Sequence, residues 1–301
     1  MALAQRAQIP RGQVPPVRIP RVQIPRVQIS RVQIFGVDFT SAPRRAKPIT
    51  VARGRLVRGA FVLERIDGLE DFAAFERLLV EPGPWIGGFD FPFGLPREAI
   101  RDLGWPEAWA TLIRHCASLG KPTFKAVLDA YRESRPAGQR YAHRQTDRLA
   151  GLSSSLKLVN PPVGLMFLEG APRLLAAGVS LPGLHAGDAA RIAVEAYPGL
   201  LARTITRTSY KSDEAAKQTP ARRQERARIV AALMHGDSPL EICLEGQSGL
   251  LRSLVGEASG DRLDAVLAAM QAAWAWRRRD ASFGMPRQVD PCEGWIVGAG
   301  G

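Results

Sequence analysis

The 301-residue chain has only three cysteines, Cys116, Cys243 and Cys292, far apart and odd in number. Such a set makes neither a disulfide framework nor a zinc site of ordinary spacing. A reducing cytoplasm is therefore the expected compartment. No apolar run is long enough to span a bilayer, and the N-terminus lacks the continuous apolar segment of a secretory signal, so no membrane partner is expected. His115 and His143 have no partners at ligand spacing. There is no Ser-His-Asp pattern and no GxxxxGK[ST] phosphate loop. Nothing in the composition assigns an oligomeric state.

Acids are missing altogether from residues 1–31. Within that stretch Arg21-Val-Gln-Ile-Pro, Arg26-Val-Gln-Ile-Ser and Arg31-Val-Gln-Ile-Phe repeat with a period of five, which matches no common solenoid. Prolines at 10, 15, 16, 20 and 25 favour extended backbone. Residues 1–31 are expected to be a disordered, basic, low-complexity tail, either a neutral extension or a nonspecific contact for phosphates. Residues 32–301 are expected to form one folded domain. The net charge of +12 favours a polyanionic partner, DNA or RNA, although much of it lies in the tail and in Arg277-Arg278-Arg279.

What is present begins with Arg31-Val-Gln-Ile-Phe-Gly-Val-Asp38-Phe-Thr-Ser. An apolar run reaches a single acid and is then broken, which predicts a buried strand ending in a carboxylate. Gly36 leaves room beside it for a close neighbour. An acid there is costly unless paired or bound to metal; the alternative is a turn-starting aspartate. Trp85-Ile-Gly-Gly-Phe-Asp90-Phe-Pro repeats the design, and Arg191-Ile-Ala-Val-Glu195-Ala-Tyr-Pro places a third acid before a breaker. By alternation Ile192, Val194 and Ala196 face one way and Glu195 the other.

Between these lie strand-like runs from Ile49 and from Gly59 to Ile66, with Gly54 as the expected hairpin turn. Asp67 to Glu70 matches a capping box for the helix that follows. Arg97 to Asp188 is expected to be a long, mostly helical stretch with a polar centre containing Arg144, Asp147 and Lys157. A late helix is predicted from Asp261 to about Arg278, with Leu263, Leu267, Met270 and Trp274 as its apolar stripe. Ala265 and Ala268 would let it approach a sheet edge closely. Asp261 and Asp264 neighbour each other on its first turn; as an alternative, Asp261 caps the helix and Asp264 favours its dipole.

Strand-end acids on one edge of a mixed sheet converge on one crevice, where they repel each other unless cations compensate. Hard divalent ions suit such oxygen donors, so Mg2+ or Mn2+ is the expected cofactor. Two ions about 3.5–4 Å apart would serve phosphodiester hydrolysis.

The segments Gly36-Val-Asp38-Phe-Thr-Ser, Gly88-Phe-Asp90-Phe-Pro-Phe-Gly, Glu195-Ala-Tyr-Pro, Tyr210-Lys211, Asp261-Arg-Leu-Asp264-Ala and Glu293-Gly-Trp-Ile occur in this order. Together they resemble a widespread, largely uncharacterised family of predicted nucleases with a ribonuclease H-like fold, over roughly residues 32–298. Arg144-Gln-Thr-Asp147 and Pro161-Pro-Val-Gly resemble one branch of it. The resemblance implies an α/β fold in which a mixed central sheet is flanked by helices and carries a large helical insertion. It puts Asp38 on the first strand, Asp90 on the fourth, Glu195 on the fifth and Asp264 on the closing helix.

The leading expectation is a metal-dependent nuclease. Asp38, Asp90, Glu195 and Asp264 would be its catalytic acids, with Asp261 as a further metal ligand. Lys211, Arg144, Lys157 and Tyr210 would meet substrate. The alternatives are an ATP-dependent phosphotransferase of the actin and sugar-kinase type, a noncatalytic nucleic-acid binder, and a small-molecule hydrolase whose insertion lids the crevice. Asp38-Phe-Thr-Ser faintly resembles the first phosphate loop of the kinase group, but the glycines of such a loop are missing.

Overall fold

The computed structural model describes residues 32–300, and the expected tail at 1–31 lies outside them. The strands β1 (Gln33–Asp38), β2 (Ile49–Val57) and β3 (Ala60–Leu69) open the chain, followed by α1 (Phe72–Leu79) and β4 (Trp85–Phe89). The insertion comes next, as α2 (Arg97–Asp102), α3 (Trp109–Ser134), α4 (Gln145–Leu149) and α5 (Val163–Ala177). A two-residue β5 (Val179–Ser180) and then β6 (Asp188–Glu195) follow. After them come α6 (Pro198–Ile205), α7 (Pro220–His235), β7 (Leu244–Gly246), α8 (Ser248–Gly256) and α9 (Asp261–Arg277).

The strands form one seven-stranded mixed sheet in the order β5-β6-β4-β1-β2-β3-β7. β2 pairs antiparallel with β1 and β3, while every other pairing is parallel. This mixed α/β architecture is consistent with the expected ribonuclease H-like class. The extra strand β5 makes Glu195 the end of the sixth strand rather than the fifth.

Both faces of the central strands are apolar, so both must be covered. Phe35 and Val37 of β1 pack with residues of α1, α3 and α5. Ile34 of β1 and Ile86 of β4 pack on the other face, with residues of α6 to α9. Helix α9 is buried nearly all round, from Leu263 to Ala275, rather than along one stripe. It lies on the face of the sheet and not at its edge. A Cβ at Gly36 would overlap the backbone of Ala265 and Ala269, and one at Gly88 would overlap the Ala268 carbonyl. Glycine in the strands and alanine in the helix together allow that closeness.

Two local expectations are corrected. Gly54 lies inside β2, at a bulge where the pairing with β3 slips between Arg53 and Gly54, and the hairpin turns at Arg58-Gly59 instead. Asp67 does not cap α1, because β3 continues to Leu69 and pairs Asp67 with Val51. The cap is Asp71, whose carboxylate accepts from the Ala74 N–H at 2.7 Å, and Asp67 binds Arg53. In both places pairing between β2 and β3, rather than a local turn residue, sets where the strands end. Among the described residues no helix is long and apolar enough to cross a membrane.

Candidate functional site

β1 and β4 are parallel neighbours, with Val37 opposite Phe89. The chain leaves β1 towards β2 on one side and reaches β4 on the other. Their carboxyl ends therefore flank the point where strand order reverses, the usual ligand crevice of such sheets. Asp38 is the last residue of β1, and Asp90 directly follows β4.

Alternation decides where these acids point. Ile34 and Gly36 face α9, so Asp38 does too; Ile86 and Gly88 face α9, so Asp90 does too. Both carboxylates thus converge on the first turn of α9, where Asp264 is fully buried. Glu195 is out of step. It pairs with Phe89, one position short of Asp90. Its side chain therefore belongs to the opposite face of the sheet.

The surroundings of the acids differ sharply. Asp264 accepts from the Tyr210 hydroxyl at 2.5 Å and from the Lys211 ammonium. The Asp38 and Asp90 carboxylates make no hydrogen bond and no ion pair among the described residues, and both keep part of their surface open. Burial, then Asp264, push the Asp38 carboxyl well above the usual range, with Asp261 and Asp90 adding to the rise and Lys211 opposing it. Burial, Asp264 and Glu195 raise Asp90 to about 7 against the same lysine. Burial works against the Lys211 charge, but Asp264, Tyr210 and Asp38 outweigh it and hold that ammonium well above ordinary lysine. Three acids and one lysine leave the cluster short of positive charge.

Glu195 and Arg144 bind each other rather than standing free for a metal and a phosphate. Arg144 donates to both Glu195 oxygens at 2.7 and 2.8 Å and to the Glu293 carbonyl at 2.9 Å. Its other donors bind Asp147, with the closest contact at 2.8 Å. Glu195 also accepts from the Phe93 N–H at 2.9 Å. Arg144, Asp147 and Glu195 are each at most 3% exposed. The guanidinium has no free N–H for a ligand. This ion cluster ties the end of β6 to α4 and to the C-terminal segment, where the Glu293 carboxylate accepts from the N–H groups of Arg97 and Gln145.

Asp261 does not cap α9, and its carboxylate is engaged by a lysine. Gly260 is the N-cap of α9, and Asp261 is held by Lys47 at 2.8 Å, a lysine that also binds Asp213. Lys157 donates to the Asn160 carbonyl and does not line the cavity described below. Lys211 stands on Asp264 rather than free for phosphate, although 43% of its side chain is exposed. Tyr210 is buried, and its hydroxyl is committed to Asp264.

The unpartnered pair opens on a cavity of about 600 Å3. Its floor is Asp38, Phe39, Asp90 and Phe91, and the insertion supplies Leu152, Val163 and Met166 as one wall. A second cavity of about 310 Å3 adjoins it, and both are lined by Asp90, Tyr197 and Lys211. Sequence reasoning gave no site role to Lys47, Asp147 or Tyr197. Only Asp147 left a signal, its spacing of three from Arg144, which is the offset of a helix cap. Arg144 does accept that role in α4.

No curated protein and no solved structure matches the chain. A family model described as "Protein of unknown function (DUF429)" matches residues 36–288, most of the chain, which therefore belongs to that family.

Proposed function

We propose that the chain is a metal-dependent hydrolase of phosphodiesters in nucleic acid, with a divalent cation held between Asp38 and Asp90. The observation that carries this reading is the pair of neighbouring, unpartnered carboxylates facing a cavity at the switch point. Hard oxygen donors with excess negative charge fit Mg2+ or Mn2+, and no buried base holds these two apart as Arg144 holds Glu195. The fit is narrower than five ligands and two ions. Among the described residues no group of three Asp, Glu, His or Cys side chains is arranged for a metal ion. Glu195 and Asp261 are committed to Arg144 and Lys47. The donors without a cation already on them are therefore Asp38 and Asp90; Asp264, like Asp261, would join only once its lysine turned away.

The ion would supply positive charge to the phosphoryl group during transfer. Asp38 and Asp90, on rigid strand ends, would hold it. Tyr210 orients Asp264. Lys211, with nearly half its side chain exposed, exchanges one negative partner for another when it swings from Asp264 to a substrate phosphate. The apolar wall of Leu152, Val163 and Met166 keeps bulk water from the rest of the ligand. Water adds to phosphorus and one P–O ester bond breaks, leaving a phosphate monoester and an alcohol.

Labelled single- and double-stranded DNA and RNA incubated with Mg2+ or Mn2+ test the reading. Cleavage is expected, and Asp38→Asn should lower it by at least about 100-fold, a loss of roughly 3 kcal/mol of transition-state stabilisation, while the protein stays folded. Unchanged activity in Asp38→Asn, or no turnover with either metal, overturns it.

A further inference from the structure

The second cavity has a chemistry of its own. It is lined by the α6–loop segment bearing Arg203, Arg207, Thr208 and Ser209, together with Lys211 and the acids Asp90 and Asp264. Arg207 is exposed and makes no hydrogen bond or ion pair among the described residues. Arg203 donates to the Ala150 carbonyl at 2.7 Å and lies over the Tyr197 ring at 5.2 Å. Its position is thereby set, and it packs on Tyr197, one of the residues that line both cavities. The larger space has an apolar side of Phe39, Phe91, Leu152, Val163 and Met166, although the ion pairs of Lys47 with Asp261 and of Arg144 with Glu195 also line it. One compartment thus suits an apolar planar group, the other an anion, and the acid pair lies where they meet.

From this geometry we propose that the smaller cavity is a phosphate subsite, and that the two cavities form one track for two successive nucleotides of a single strand. The inference rests on the hydrolase reading and narrows its substrate. A base occupies the larger cavity, the phosphodiester to be cut lies over Asp38 and Asp90, and the next phosphate meets Arg207 and the neighbouring hydroxyls. Arginine suits that last role because its planar fork matches phosphate oxygens. Cavities of this size hold small ligands, and a paired nucleotide reaches such a pocket only by leaving its stack. A free single strand meets no such cost, so duplex is discriminated against by shape alone.

Fluorescence anisotropy with short labelled single strands of DNA and RNA, and with a blunt duplex, tests this on the full chain in EDTA, where no turnover enters. Arg207→Gln should weaken single-strand binding roughly five- to tenfold and flatten its salt slope by about 0.7. Duplex binding, supplied by the basic tail and surface, should be unchanged. Arg252→Gln, an exposed arginine on α8 outside both cavities, should leave single-strand affinity as it is. Equal binding by Arg207→Gln and the parent chain overturns the subsite, as does an equal loss in Arg252→Gln. Cleavage of nucleotide-sized esters without Arg207-dependent strand binding overturns the track but leaves the hydrolase. Arg207-dependent binding with no turnover under any metal does the reverse.

Discussion

Replacing Arg144 separates its structural role from a substrate role. Its five N–H groups are divided among Glu195, Asp147 and the Glu293 carbonyl, all at the junction of β6, α4 and the C-terminal segment. Arg144→Gln keeps a polar side chain but removes the charge and the fork. Two carboxylates, each at most 3% exposed, are then left without their cation. Breaking a buried pair from one side costs about 3–5 kcal/mol, so the melting temperature should fall by on the order of 10 °C for a domain of this size. The loss should also depend on pH. Burial already raises the Glu195 carboxyl, and Arg144 above all, with the Phe93 N–H, opposes the rise. Without Arg144 the native carboxyl rises further, so the folded state binds a proton more tightly than the unfolded chain. Its contribution is then full in acid and is lost as pH climbs. Urea unfolding at pH 5 and pH 8 should therefore show a larger defect at pH 8. Arg144→Lys should recover little, because an ammonium cannot bind both partners side-on. A variant with parental stability at both pH values, and only weaker substrate affinity, would refute this account of Arg144.

Asp90→Asn should stabilise the metal-free protein. Its carboxyl rises from an ordinary 3.8 to about 7, so the native state prefers the protonated form and parental stability declines between about pH 4 and pH 7. The gain from the amide should grow over that window to at most about 4 kcal/mol, reduced by the carboxylate's partial contact with solvent. Urea midpoints across the range in EDTA check it, and Mn2+ should raise the melting temperature of the parent chain more than that of the variant. Gly36→Ala should destabilise by about 3 kcal/mol or more, since the new Cβ meets α9 backbone that cannot yield. Gly256→Ala, a helical glycine with open space around it, should be neutral or slightly stabilising. Equal effects would refute the close approach of helix and sheet.

The acid-ended strands were legible because their signal is local. An apolar run that stops at one carboxylate before a breaker can be read within a dozen residues, and Asp38 and Asp90 each stand in such a run. Helix α9 was legible for the same reason, as was the helical nature of the insertion. The Gly54 turn and the Asp67 cap failed because strand length is set by pairing with other strands. Glu195 was legible in part: it lines the cavity of Asp38 and Asp90, but its ion pair with Arg144 could not be read from the sequence. Its alternation was readable, but its register against β4 was not, and a shift of one residue sends a side chain to the other face.

The chain by itself determined which segments are strands, where they end in acid, and that those acids lie far apart in order yet alike in setting. The tertiary structure decided which of them keep an uncommitted charge. Neutralisation is a contact property: Arg144 finds Glu195, Lys47 finds Asp261 and Lys211 finds Asp264 across separations of 51, 214 and 53 residues. Charge attraction falls off over a few ångströms of space and is blind to distance along the chain, so only the folded arrangement could leave Asp38 and Asp90 as the pair without a partner.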